Sequence, residues 1–203
     1  MANDTSTEQK ILEAAEDVFH EKGYDGARMQ EIAEQAGINK GLLHYYFKTK
    51  DKLFEAIFSA ALNRMISRIL SILELEIPLD QKIDLIVDQY MGMLLKNPAL
   101  PRFVLNELNK NPDQFIEKHF KKDVKEAFAN FSLSVQKEAK KGAIKPIDGR
   151  MLFMNMISMI IFPFVGRPLI QVVMGVDNAE FKRIMQERKE HIKIFIKDAI
   201  KVQ

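Results

Sequence analysis

Apolar residues recur at three- and four-residue spacing along most of the chain, and no stretch alternates with the two-residue period of a strand. The pattern predicts helices throughout. The first starts near residues 5–7, where Thr5 with Glu8, or Ser6 with Gln9, offers a capping box. Ile11, Leu12, Ala15, Val18 and Phe19 form its inner stripe, and Gly23 ends it. Met29, Ile32, Ala33 and Ala36 give a short second helix one apolar face, and Gly37 supplies the permissive residue that stops it. Asn39 is a natural N-cap for a third helix, with Leu43, Phe47 and part of Tyr46 turned inward. Thr49 caps a fourth, with Leu53, Phe54, Ile57, Ala60, Ala61, Met65 and Ile69 along one side, until Pro78 forbids continuation.

The remainder reads the same way. One helix covers about 80–96 and stops at Asn97-Pro98, and a short one follows Pro101. A long helix over about 113–141 carries Phe115, Phe120, Val124, Phe128, Phe131 and Val135, with Gly142 as its stop. Asp148 caps the apolar segment 151–165, Pro163 and Pro168 kink or break the chain, and residues 168–174 add another turn or two. Asn178 caps the last helix, whose one side holds Phe181, Ile184, Met185, Arg188, Ile192, Phe195, Ile196 and Ala199. Segment 151–165 is shorter than the ~20 apolar residues of a membrane span, so it is expected to be buried between partners. The expected fold is all-α: an N-terminal three-helix domain over 1–50, then a C-terminal helical domain over 51–203. The fourth helix links the two without a floppy connection.

Two short helices across a tight glycine turn, within 29–50, make a helix-turn-helix whose second helix can enter a DNA major groove. Charge changes sign at that turn. Up to Gly37, three cations (Lys10, Lys22, Arg28) stand against nine acids (Asp4, Glu8, Glu13, Glu16, Asp17, Glu21, Asp25, Glu31, Glu34). From Ile38 to Lys50 there are Lys40, Lys48 and Lys50 and no acid. Local positive charge on a recognition helix is the footprint of phosphate contact. Lys40 and Gly41 lie in the first turn, where base edges are met, and Gly41 lets backbone come close. Leu42 can touch a thymine methyl, and His44 and Tyr45 are donors on the same outward face. Tyr46 is half core, and Lys50, just past the helix, reads as the strongest phosphate ligand.

The run from Gly23 to Ile57, above all EIAEQAGINKG and HYYFKTKDKL, resembles the DNA-binding domain of the TetR-type family of bacterial transcriptional regulators. The resemblance covers about residues 5–65. It implies DNA contacts at Asn39, Lys40, Gly41, Leu42, His44, Tyr45, Tyr46 and Lys50. It also implies a sequence-specific repressor of palindromic double-stranded DNA. That repressor would be a homodimer joined through the segments near 148–165 and 178–202, with Met156, Ile160, Phe181, Arg188 and Phe195 as interface members. Two positions depart from the family pattern. The usual Thr or Ser cap of the second helix is replaced at Ala27-Arg28, which loses a bond worth ~1 kcal/mol and frees Arg28 to reach a phosphate. Position 44 is commonly Tyr and is His here.

Composition narrows the alternatives. A chain of 203 residues can bury a real core. The absence of cysteine excludes disulfides, thiolate zinc sites and cysteine nucleophiles, and fits a reducing cytoplasm. His20, His44, His119 and His191 form no metal motif, and there is no phosphate-loop glycine pattern, so no enzyme, cofactor or metal is expected. The chain holds 11 Met and 14 Phe, a composition suited to adaptable apolar packing. Tyr90, Met91, Phe103, Phe128, Phe131 and Met154 either line a pocket for a small, mainly apolar effector or belong to plain helical core. An architectural or ligand-independent DNA-binding protein is the competing reading.

Overall fold

A computed structural model describes residues 2–120 and 123–202. Among them are eleven helices and no strand, apart from an isolated bridge between Ile144 and Lys201. The chain divides into two compact units, one up to Asn63 and one from Arg64.

The first unit contains α1 (Ala2–Gly26), α2 (Met29–Gln35), α3 (Lys40–Tyr46) and the beginning of α4 (Lys50–Glu74). α1 starts earlier than its polarity suggests, and the capping side chains proposed at Thr5 and Ser6 lie outside the described residues. Gly23 bends α1 at φ 70° rather than ending it, and the last turn carries on to Gly26. Ile11, Ala15, Ile32, Ala33, Leu43 and Leu53 are wholly buried and make the unit's core. Gly37 (φ 68°) closes α2 in a Schellman turn: its amide donates to Glu34 O at 3.1 Å, and that of Ile38 donates to Ala33 O at 3.0 Å.

The second unit holds the rest of α4 with α5 (Leu79–Lys96), α6 (Leu100–Lys110), α7 (Pro112–His119), α8 (Asp123–Lys140), α9 (Gly149–Val165), α10 (Arg167–Met174) and α11 (Asn178–Ile200). α5 packs on α8, α9 and α11, and α6 packs on α7 and α9. Asp84–Lys197 (2.6 Å) and Asp88–Lys193 (2.6 Å) staple the outer edge of the α5–α11 contact. Buried Lys82 donates to Leu73 O (2.8 Å) in the last turn of α4, and burial pushes its ammonium pKa down. α4 is long and apolar enough to cross a membrane, but Leu53, Ile57, Leu62, Ile69, Ile72 and Leu73 spend its apolar surface inside the protein.

Three expectations change. The long helix over 113–141 is two helices, with Phe120 in extended backbone (φ −112°, ψ 85°) after the first. The buried pair Phe115 and His119 and the buried set Ala127, Phe131 and Val135 sit roughly 140° apart around an unbroken helix, so one straight rod cannot bury both. The cap of α11 is Asp177, whose carboxylate accepts the Glu180 amide at 2.8 Å. Asn178 instead accepts from Arg167 (2.8 Å) and Gln171 (3.1 Å). Finally, α9 runs through Pro163, and the chain breaks at Gly166, where α10 departs at 76°. Proline has no amide to give the carbonyl four residues back. That carbonyl, Met159 O, accepts the Arg188 guanidinium at 3.1 and 3.3 Å.

Candidate nucleic-acid interface

α3 is anchored from below and open above. Leu43 is fully buried and Phe47 nearly so. Asn39 caps the helix, accepting the Leu42 amide on Oδ1 at 2.8 Å, which leaves its amide nitrogen as the donor it can offer a ligand. Lys40, Gly41, Leu42, His44 and Tyr45 are exposed, Tyr45 by 77%, while Tyr46 is half-buried and meets Tyr45 edge to face. His44 Nδ1 donates to Lys48 O at 3.3 Å, which leaves Nε2 as the ring nitrogen available to a ligand. A Cβ on Gly41 would stand 3.2 Å from the capping oxygen of Asn39, so the absence of a side chain here leaves the cap undisturbed.

The acids near the turn are engaged away from this face. Glu31 pairs with Lys22 at 3.2 Å, and Glu34 accepts from Gln30 at 2.8 Å. Arg28 starts α2 in extended backbone without a side-chain cap and is exposed. Lys48, counted in the positive run but not named as a contact, is exposed beside the end of α3. Lys50 differs from the other cations: it is half-buried, and its ammonium donates to Tyr24 O (2.8 Å) and Ala27 O (3.2 Å). The arrangement is a short, capped helix presenting a cation, an imidazole, a phenol and an amide on one outward face. Lys40, Tyr45 and the Asn39 amide can donate hydrogen bonds to anionic oxygens and base edges, whereas Nε2 of the neutral His44 ring, with Nδ1 donating, accepts one.

Residues 11–57 match the family model of bacterial regulatory proteins of the tetR type. The N-terminal domain of the chain is that of the TetR-type transcriptional regulators. The chain is 24% identical over 154 residues to the uncharacterized HTH-type transcriptional regulator YhgD of Bacillus subtilis, covering 74% of this chain and 78% of that one. Another curated relative, the Bacillus subtilis fatty acid metabolism regulator protein, is matched over 44% of its length at 27% identity. In fold it is similar to a transcriptional regulator of Saccharomonospora viridis solved with choline (18% identity, TM-score 0.70, 98% of this chain and all of that one). It is also similar to FadR of Bacillus subtilis solved with stearoyl-CoA (20% identity, TM-score 0.53, 91% and 96%).

The other expected sites fall unevenly in the second unit. Met91, Phe103 and Phe131 are buried, and Phe128 and Phe131 cluster with Phe153 at 5.4 and 5.9 Å. Tyr90 is half-buried, and its phenol is pushed up to about 12 by burial. Met154, a pocket candidate, is half exposed on the outside of α9. Of the interface candidates, Met156, Ile160 and Phe181 are subunit core, and half-buried Arg188 is committed to Met159 O, with its pKa lowered by burial. Phe195 is 63% exposed. The outward faces of α9 and α11 instead carry Met151, Asn155, Phe162, His191 and Phe195, beside grooves of about 530 and 360 Å³.

Proposed function

We propose that this chain is a homodimeric, sequence-specific repressor. It occupies a roughly palindromic double-stranded DNA operator in the cytoplasm and leaves it when a small, mainly apolar effector binds the C-terminal unit. The observation that carries the DNA reading is the outward face of α3, where Lys40, His44 and Tyr45 stand on a helix fixed by a cap and a buried leucine. Asn39, Gly41, Leu42 and Tyr46 complete the contact set, with Arg28 at the edge.

The apolar outer faces of α9 and α11 support a two-fold dimer, because residues such as Phe162 (59% exposed) and Phe195 are otherwise left in water. A two-fold dimer sets two recognition helices about one DNA turn apart, ~34–36 Å. Effector binding is supported by the ligands of proteins with similar folds, choline in one and stearoyl-CoA in the other. Tyr90, Met91, Phe103, Phe128 and Phe131 are the proposed lining. The effector acts by its different affinity for two conformations. α4 is the proposed lever, because it contributes residues to both units. No catalytic step, metal or cofactor enters this reading.

The test is selection of bound sequences from random duplex DNA at near-physiological salt. A two-fold symmetric motif, released by a ligand that also raises the melting temperature, supports the reading. A folded dimer that recovers no motif leaves an architectural DNA-binding protein, and a motif that no ligand releases leaves an unregulated binder.

A further inference from the structure

One tyrosine takes two neighbouring residues of opposite charge and keeps them apart. Lys50 Nζ donates to the carbonyl of Tyr24 at 2.8 Å and to that of Ala27 at 3.2 Å, and sits 4.3 Å from the centre of the Tyr24 ring. The Tyr24 hydroxyl donates to the carboxylate of Asp51. Phe19, stacked at 6.2 Å, and Phe54, edge-on at 4.8 Å, hold the ring in place.

The arrangement leaves the lysine ready for an anion. Carbonyl oxygens and a ring face carry no formal charge, so they attract the ammonium without cancelling it. An ammonium has three hydrogens to donate, and the two carbonyls take two of them. The third remains for an oxygen of a bound phosphate. A lysine side chain has many rotamers to lose when it meets a ligand. Lys50 is half-buried and has given up much of that freedom before any DNA arrives. Asp51, next in sequence and of opposite charge, is the natural competitor for the ammonium, and its carboxylate is occupied by the tyrosine hydroxyl. Only residues 47–49 separate Lys50 from the end of α3, so the ordered cation stands close to the recognition helix.

We infer that Tyr24 is a positioning residue for DNA binding: it separates Lys50 from Asp51 and holds the Lys50 ammonium, already ordered, for a phosphate of the duplex. It acts through Lys50 and not through a contact of its own. The sequence alone does not mark it, because Tyr24 precedes Lys50 by 26 residues. The inference rests on the DNA-binding reading of α3, with Lys50 among its phosphate ligands.

Titration of the full-length protein with a selected duplex and a scrambled one, over a range of salt, tests it. Phosphate contacts carry no sequence information, so both duplexes report on them equally. Lys50→Met is expected to lower the slope of log affinity against log salt by about one. Tyr24→Leu keeps the lysine and its charge but frees the side chain. It is expected to leave that slope in place and to lower affinity for both duplexes by about three- to tenfold, the range for ordering one long side chain. In the Lys50→Met background the same change is expected to cost nothing further. A Tyr24→Leu loss of equal size with and without Lys50 overturns the inference, because the tyrosine then serves only the fold. A loss confined to the selected duplex overturns it too, because α3 itself has then moved.

Tyr24→Phe covers the case in which the leucine variant does not fold, since it keeps the ring and its packing. Without the hydroxyl, Asp51 is released towards Lys50. Affinity for both duplexes is expected to fall about threefold, the scale of one exposed ion pair. Asp51→Asn in that background is expected to recover more affinity than it adds to the unsubstituted protein. Binding by Tyr24→Phe equal to the parent's, or an equal gain from Asp51→Asn in both backgrounds, overturns the inference. An unsubstituted protein that binds neither duplex overturns the DNA reading and the inference together, whereas binding that ignores Tyr24 overturns the inference alone.

Discussion

Two short helices of nearly equal length stand at the protein surface and are held in opposite ways. α3 has seven residues, buries Leu43 completely and starts on a capping asparagine. α10 has eight residues and buries none of its side chains. It is held at its ends, where Arg167 donates to Gln171 and Asn178 and lies over the Phe181 ring, and where Gly175 closes the helix in the left-handed region. Their outer faces differ as much as their anchoring. α3 shows donors, whereas α10 shows Leu169, Val172 (81% exposed), Val173 and Met174. Exposure by itself does not name a partner, and the chemistry on the exposed face does. A row of donors fits a chain of phosphates, and a row of apolar side chains fits another apolar surface.

The contrast in anchoring is the easiest to break. Leu43→Ala should cost ~2–5 kcal/mol, as for other large-to-small changes at full burial, and abolish DNA binding. Thermal unfolding with a gel-shift titration reads both, and a loss under 1 kcal/mol would remove the anchor from the account. Arg188→Leu should cost ~1–3 kcal/mol, because Met159 O then loses its donor opposite Pro163. Pro163→Ala in that background should recover part of the loss; no recovery would separate the arginine from the proline. Asn39→Ala should cost ~1 kcal/mol by removing the cap, and should weaken DNA binding more than it lowers stability. Equal effects on both would mean that α3 needs no precise start.

The hydrogen bond that Tyr24 donates to Asp51 adds a pH signature. The hydrogen bond to Asp51, then burial and the nearby carboxylates, push the Tyr24 phenol up to about 12. A phenol raised in the folded state contributes stability that is whole below its ordinary value near 10 and fades as pH rises towards 12. Ultraviolet titration should find two tyrosines, Tyr24 and Tyr90, ionising late, and Asp51→Asn should bring one of them earlier. A spectrum unchanged by that substitution would dissolve the pair. The smallest effect belongs to α10: Val172→Ser should change the stability of the isolated subunit by under about 0.5 kcal/mol. A clear destabilisation there would show that the apolar row is already covered within the subunit.

The N-terminal unit was legible because its signals are local. Gly37 and Asn39 act within a few residues of where they stand, and both do what their chemistry suggests. The α9 face was illegible for the opposite reason. A helix apolar all round gives periodicity nothing to choose between, so Met156 and Ile160, expected at the dimer interface, are buried within the subunit, while Phe162 is left outside. Arg188 and Lys50 share a further difficulty. Each is a cation engaged by backbone carbonyls distant in sequence, at Met159 and at Tyr24 and Ala27, and no local pattern marks a carbonyl in need of a donor. Asp177 and Asn178 are adjacent and both able to cap, and the neighbouring Arg167 and Gln171 draw Asn178 away from the role.

The crowding between Gly41 and the Asn39 cap matters for anyone seeking to retarget this protein to a new operator. A library randomised from Asn39 through α3 would spend many of its members on proteins with a disturbed cap, since any side chain at 41 must move the Asn39 oxygen by a few tenths of an ångström and most residues at 39 cannot cap. Positions 39 and 41 form one device and are best left fixed, as are Leu43 and Phe47 beneath them. Lys40, Leu42, His44 and Tyr45 remain as the writable alphabet, four letters on a frame that does not have to be redesigned each time.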